Sequence, residues 1–228
     1  MINDPGLEPG DALLLVDVQK DFCPGGALAV EEGDRIVPLV NQWINRFSEH
    51  GLPVLASRDW HPEHHLSFDE EGGPWPRHCI QDTPGAGFHQ DLQLPGTVTV
   101  ITKGVRFDQD QNSAFDQTGL EVHLQRKGIR RLFIAGLALD VCVLATAVDA
   151  RKYGFDAVLI AEATRAVDAD NGRKALNRMR EEGVNILEDQ PQPGTAAGEP
   201  DVCLKAPEWA EHQRFTDTDT PCDDGRAG

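Results

Sequence analysis

Six short apolar runs, each cut off by polar or turn residues, constrain this chain more than any other feature. They are "ALLLVDV" (Ala12–Val18), "PVLAS" (Pro53–Ser57), "TVTVIT" (Thr97–Thr102), "RLFIAG" (Arg131–Gly136), "AVLIA" (Ala157–Ala161) and "VNIL" (Val184–Leu187). Apart from the Thr-Val start of "TVTVIT", they do not alternate apolar with polar residues. Strands that bury both faces read this way, and such strands build parallel sheets covered on both sides. Helical patterns lie between them. "DRIVPLVNQWINRFSEHG" sets Ile36, Leu39, Val40, Trp43, Ile44 and Phe47 on one stripe, with Pro38 in the first turns and Gly51 as the stop. "TGLEVHLQRKGI", "DVCVLATAVDARKYG" and "DADNGRKALNRMREEG" predict three more helices, each closed by a glycine. The alternation predicts a three-layer α/β/α sandwich around a mostly parallel six-stranded sheet.

Two stretches break this rhythm. Residues 58–96 form a long connection rich in Pro, Gly, His and Trp. Connections of that length are functional or unstructured, and Trp60 and Trp75 argue for order. Residues 189–228 are acidic and proline-rich without periodicity, so they read as an irregular tail, with "CLKAPEWAEHQRF" as a short docked helix around Trp209. The expected organisation is one domain over residues 1–188 followed by that tail.

Charge and cysteine usage narrow the function classes. The 21 basic and 38 acidic side chains give a formal charge of -17, which repels phosphate backbones and anionic lipid. Nucleic acid and membrane are therefore not expected as partners. The acidic start "MINDPGLEPGD" has no apolar centre, unlike a secretory or transit segment, so cytoplasmic residence is the expectation. Five cysteines (Cys23, Cys79, Cys142, Cys203, Cys222) are widely spread, odd in number and without a CxxC pair, which argues against a disulfide framework.

Open α/β sheets bind ligands beyond the carboxyl ends of their strands, so the residues at those ends matter most. Asp17 interrupts the first run near its end. Arg58, Asp59 and His61 follow the second. Lys103 follows the third, and a small-residue turn (Ala135, Gly136, Ala138) leads to Asp140 and Cys142 after the fourth. Asp17 reads either as a loop-capping carboxylate or as a proton acceptor in a dry site. Lys103 alone reads as a solvated strand end; beside Asp17 it would hold that carboxylate's charge. Cys142 is either a small core residue or a thiol in the first turn of a helix, where the dipole would lower its pKa. Asp140 is a candidate N-cap. The Asp59-x-His61 pair, with His64, His65 and His78 nearby, offers imidazole and carboxylate donors for zinc, iron or manganese, against the plainer reading of a histidine-rich surface loop.

The ordered set "VDVQKDFCPGGALAV", "SRDWHPEHHLSF", "GGPWPRHCIQDTPGAGFH", "ITKG" and "IAGLALDVCVLATA" resembles the nicotinamidase/pyrazinamidase family of isochorismatase-like cysteine hydrolases, over about Ala12 to Leu187. The resemblance implies a catalytic triad of Asp17, Lys103 and Cys142. It implies one divalent metal, zinc first and iron or manganese as alternatives, on Asp59, His61 and His78, with His65 as a further ligand. Phe22 and Trp75 match aromatics that clasp the substrate ring, and Leu137 is placed with the substrate contacts. Ala138 and Cys142 match the oxyanion hole, and the Leu137–Ala138 bond matches a cis peptide. His64 matches nothing. The implied reaction is hydrolysis of nicotinamide, and of pyrazinamide with it, to the acid and ammonia through a Cys142 thioester. The implied partner is a small molecule, with a homo-oligomer left open. The rival readings are a hydrolase of another amide, such as an N-carbamoyl compound or biuret, a zinc hydrolase with Cys142 as core, and a non-catalytic ligand-binding protein on the same fold.

Overall fold

The computed structural model describes residues 6–187. The expected tail over 189–228, its docked helix, Cys203 and Cys222 lie outside the described residues. The elements alternate as β1 (Asp11–Val16), α1 (Val37–Glu49), β2 (Val54–Asp59), β3 (Thr99–Lys103), α2 (Leu120–Arg126), β4 (Arg131–Leu137), α3 (Leu144–Lys152), β5 (Asp156–Arg165), α4 (Ala169–Glu181) and β6 (Asn185–Leu187). The sheet is wholly parallel, in the order β3-β2-β1-β4-β5-β6.

Strand side chains alternate between two buried layers. Leu13 and Leu15 of β1 join Phe133 of β4 and Val40, Trp43, Ile44 and Phe47 of α1 on one face. Ala12, Leu14 and Val16 join Leu124 of α2, Ala147 of α3 and Met179 of α4 on the other. Both faces of the central strands are thus covered, which is why their sequences are apolar throughout. The α1 layer is tied down by aromatics: Phe133 lies 5.8 Å from Trp43 and 5.4 Å from Phe47 between ring centroids. Pro38 sits in the first turn of α1, and beyond its end Leu52 N–H donates to the Phe47 carbonyl at 2.9 Å around Gly51. The Asp168 carboxylate caps α4 by accepting from the N–H groups of Asp170 and Asn171.

Two features set where a site can form. The strand order reverses between β1 and β4, because the chain adds β2 and β3 on one side of β1 and β4 to β6 on the other. A crevice opens beyond the strand ends at such a switch point. Gly136 near the end of β4 has φ +126°, and a Cβ there would stand 2.0 Å from the Val16 carbonyl oxygen, so only glycine lets the two strand ends lie this close. The long 58–96 connection is ordered. It is pinned by bridges between His61 and Ile80, Phe68 and Trp75, and Phe88 and Gln19. Among the described residues no helix is long and apolar enough to cross a membrane.

Candidate active site

Asp17 follows the last residue of β1 with φ 48°, a left-handed bend that ends the strand and turns its carboxylate inward. The carboxylate is fully buried. Its Oδ1 accepts from Ser57 Oγ at 2.7 Å, and its Oδ2 pairs with Lys103 Nζ at 2.8 Å. Lys103, the last residue of β3, is also fully buried. Its Nζ lies 2.6 Å from Asp59 Oδ1, 3.2 Å from the Gln111 carbonyl and 3.5 Å from Cys142 Sγ. Asp17, Asp59 and Cys142 bring a carboxylate oxygen or sulfur each within 4.8 Å of one another. Three residues far apart in sequence thus converge around one ammonium.

Cys142 is buried in a π-helical turn, Leu139–Val143, that precedes α3. The expected α-helical first turn is therefore wider: Val143 N–H reaches back five residues to the Ala138 carbonyl at 3.1 Å. The Leu137–Ala138 peptide is cis. The expected lowering of the thiol pKa does not follow. Burial raises it well above the ordinary range, Asp17 and Asp59 add to that, and Lys103 opposes without prevailing. The resting sulfur is a thiol that needs a base. Asp17 suits that task, because burial raises its carboxyl against the pull of Lys103. Asp140 is not a helix cap. Ala138 holds the cap position, and Asp140 Oδ1 accepts from Val167 N–H at 2.9 Å, tying this turn to the segment after β5.

Beside this cluster stands a second. Asp59, His61 and His78 present donor atoms within 4.8 Å of one another, all three buried. His61 Nδ1 lies 3.0 Å from the Gly104 carbonyl and His78 Nδ1 lies 2.7 Å from the Pro76 carbonyl. A carbonyl only accepts, so each Nδ1 carries the hydrogen and each Nε2 keeps a free lone pair. Burial, then the neighbouring His61, pushes the His78 imidazole down to about 4, so it is neutral at physiological pH. Burial alone would raise the Asp59 carboxyl, but Lys103 and His61 outweigh it and keep Asp59 ionised. A neutral imidazole at His78 and an ionised carboxylate at Asp59 are donor states that suit a divalent cation. His65 is fully buried, its ring centroid 4.5 Å from that of His61. His64 is exposed and pairs with Glu71 at 3.0 Å, outside the site. Arg58 also turns away, donating to Thr102 Oγ1 and covering the Trp60 ring at 3.9 Å.

Both clusters face one pocket. Phe22, Leu28, Val30, Trp75, Ala138, Val141 and Val167 are its apolar lining, and Asp59, His61, His78, Asp110, Asn112 and Cys142 its polar lining. The Leu137 side chain does not line it. It is fully buried in β4 and packs on the α1 side of the sheet, against Gly33, as pleat alternation directs. Sequence reasoning missed Gln19. Its side-chain amide accepts from Asp59 N–H at 2.7 Å and donates to the Asp59 and Ala86 carbonyls at 2.8 Å each, fixing the backbone of Asp59. It missed Asp21 as well, whose carboxylate accepts from the N–H of Cys79, next to His78. The signal available was two polar residues beside the strand-ending Asp17 in "VDVQKDF".

The comparisons agree with this geometry. The isochorismatase domain family matches residues 11–190. A nicotinamidase from Acinetobacter baylyi is 37% identical over 199 residues, which cover 77% of this chain and 91% of that protein. The crystal structure of a pyrazinamidase from Pyrococcus horikoshii in complex with zinc superposes with a TM-score of 0.77 at 46% identity, over 79% of this chain and 99% of that one. The structure of PnC1 from L. infantum in complex with nicotinate does so with a TM-score of 0.73 at 39% identity, over 79% and 93%. With the matched region spanning the whole sheet and both clusters, the chain belongs to the isochorismatase family, in its nicotinamidase/pyrazinamidase group.

Proposed function

We propose that this chain is a metal-dependent cysteine amidohydrolase that converts nicotinamide to nicotinate and ammonia, and pyrazinamide to its acid in the same way. The observation that carries this is the convergence of Asp17 and Lys103 on Cys142, which lines one pocket with the Asp59–His61–His78 donor set. The apolar walls, with Phe22 and Trp75 among them, suit a flat aromatic ring better than a linear amide such as biuret.

Asp59, His61 and His78 would hold the cation, with His65 as a fourth ligand. When bound, the cation supplies a Lewis acid for a lone pair on the substrate ring. Phe22 and Trp75 orient that ring and exclude water, which makes the attack near-unimolecular. Asp17 takes the Cys142 proton as the sulfur bonds to the carboxamide carbon. The N–H groups of Ala138 and Cys142 receive the developing oxyanion. Asp17 then protonates the leaving nitrogen, the C–N bond breaks and ammonia departs, leaving a thioester on Cys142. Asp17 next accepts a proton from water, whose oxygen displaces the sulfur to give the carboxylic acid product, and Asp17 returns that proton to the sulfur to restore the thiol. Lys103 holds the Asp17 carboxylate in place throughout and offsets the charge that appears at sulfur.

The test is ammonia release from nicotinamide by purified protein, before and after chelation. Turnover that is lost with chelator and restored by zinc is the expected result. Metal-loaded protein that releases no ammonia from nicotinamide would overturn the proposal.

A further inference from the structure

His61 belongs to two donor groups, not one. Besides Asp59 and His78, its ring lies among donor atoms of His65 and Asp110, again within 4.8 Å of one another. His65 is engaged at Nδ1 by Ser67, with Oγ at 2.7 Å and N–H at 3.4 Å, and its ring meets the Arg106 backbone on the loop that carries Asp110. Asp110 is half-buried and lines the pocket, on the loop that leaves β3. One of its oxygens accepts from Gln111 N–H at 2.9 Å, which leaves the other available. Arg106, the cation of this loop, is taken by Asp108 instead, at 2.6 Å. Charge gives the second reason. Asp59 shares its negative charge with Lys103 at 2.6 Å, so alone it undercompensates a divalent ion held otherwise by neutral imidazoles.

We propose that Asp110 is a further protein ligand of the same cation, so that metal binding fastens the 104–112 loop over the pocket. This rests on the metal centre proposed above. The probe is zinc ion, added to chelator-stripped protein in competition with a zinc-binding dye, with amide hydrogen exchange followed across 104–112. Asp110→Asn should weaken zinc binding about tenfold or more, in the range that well-placed groups at metal sites contribute. Zinc should slow exchange of the loop in the unsubstituted protein but not in Asp110→Asn. Asp108→Asn, two residues away and exposed, should bind zinc as the unsubstituted protein does. The proposal is overturned if Asp110→Asn keeps its zinc affinity, if Asp108→Asn loses as much, or if zinc still protects the loop in Asp110→Asn. His61→Ala separates the two readings. If it alone loses zinc, the centre stands and only the Asp110 ligand falls; if it also keeps zinc, the centre itself falls.

Discussion

Lys103 shows most directly what individual side chains do here. An ammonium with no exposure meets two carboxylates at 2.8 and 2.6 Å and a sulfur at 3.5 Å. Those carboxylates raise its pKa well above the ordinary value even though burial works the other way, so it stays charged. Removing it strands Asp17 and Asp59 as buried, uncompensated charges. Lys103→Met should therefore cost about 3–5 kcal/mol of stability, measured by chemical denaturation. Cys142→Ala should behave differently: stability near that of the unsubstituted protein, and turnover lower by on the order of 10³ or more. Asp17, Lys103 and Cys142 were legible because each interrupts or ends an apolar run. Ser57 and Gln19 were not. A serine in "PVLAS" and a glutamine in "VDVQKDF" look like ordinary strand-end residues until the fold supplies Asp17 and Asp59 as their partners. Nor could the sequence give the thiol's raised pKa, since the helix-end argument omits the two buried carboxylates around it.

Glycines decide how the strand ends meet. A Cβ at Gly104 would lie 2.5 Å from His61 Cε1 and 2.7 Å from Nδ1, at φ +72°. Gly104→Ala should fold, displace the His61 ring and lower zinc retention in equilibrium dialysis. Gly136→Ala is more severe, because the clash is with the Val16 backbone at 2.0 Å and cannot be relieved by a rotamer change. Its destabilisation should exceed the ~3 kcal/mol that bounds most single substitutions, again by denaturation. The apolar runs located every strand, yet β2 extends to Asp59 and β5 to Arg165, past the runs "PVLAS" and "AVLIA". Strand pairing carried them on: Asp59 registers with Lys103, and β5 resumes beyond an irregularity to pair Arg165 with Leu137. The π-helical turn at Cys142 has no signature in composition, since its residues suit an α-helix equally well.

For the molecule as a whole, topology explains the site's position. With β1 flanked by β2 and β4, the chain reversal sets Asp17 and Cys142 at the same sheet edge, and β3 reaches that edge with Lys103 through β2. The fold class could be read from the β-α alternation, and the strand order could not, because nothing in the runs states which neighbours pair. We propose that the domain needs nothing beyond the matched region. A chain ended after residue 190 should keep kcat/KM for nicotinamide within about twofold, since the site residues and the sheet all precede that point.

The central claim is that Cys142 carries the acyl group during turnover, and acid-quenching the enzyme with nicotinamide followed by peptide mass spectrometry tests it most directly. The account predicts a nicotinoyl thioester on the peptide bearing Cys142, absent in Cys142→Ala. An enzyme that turns over nicotinamide at an undiminished rate with Cys142 replaced, and with no acyl group on that peptide, would contradict it.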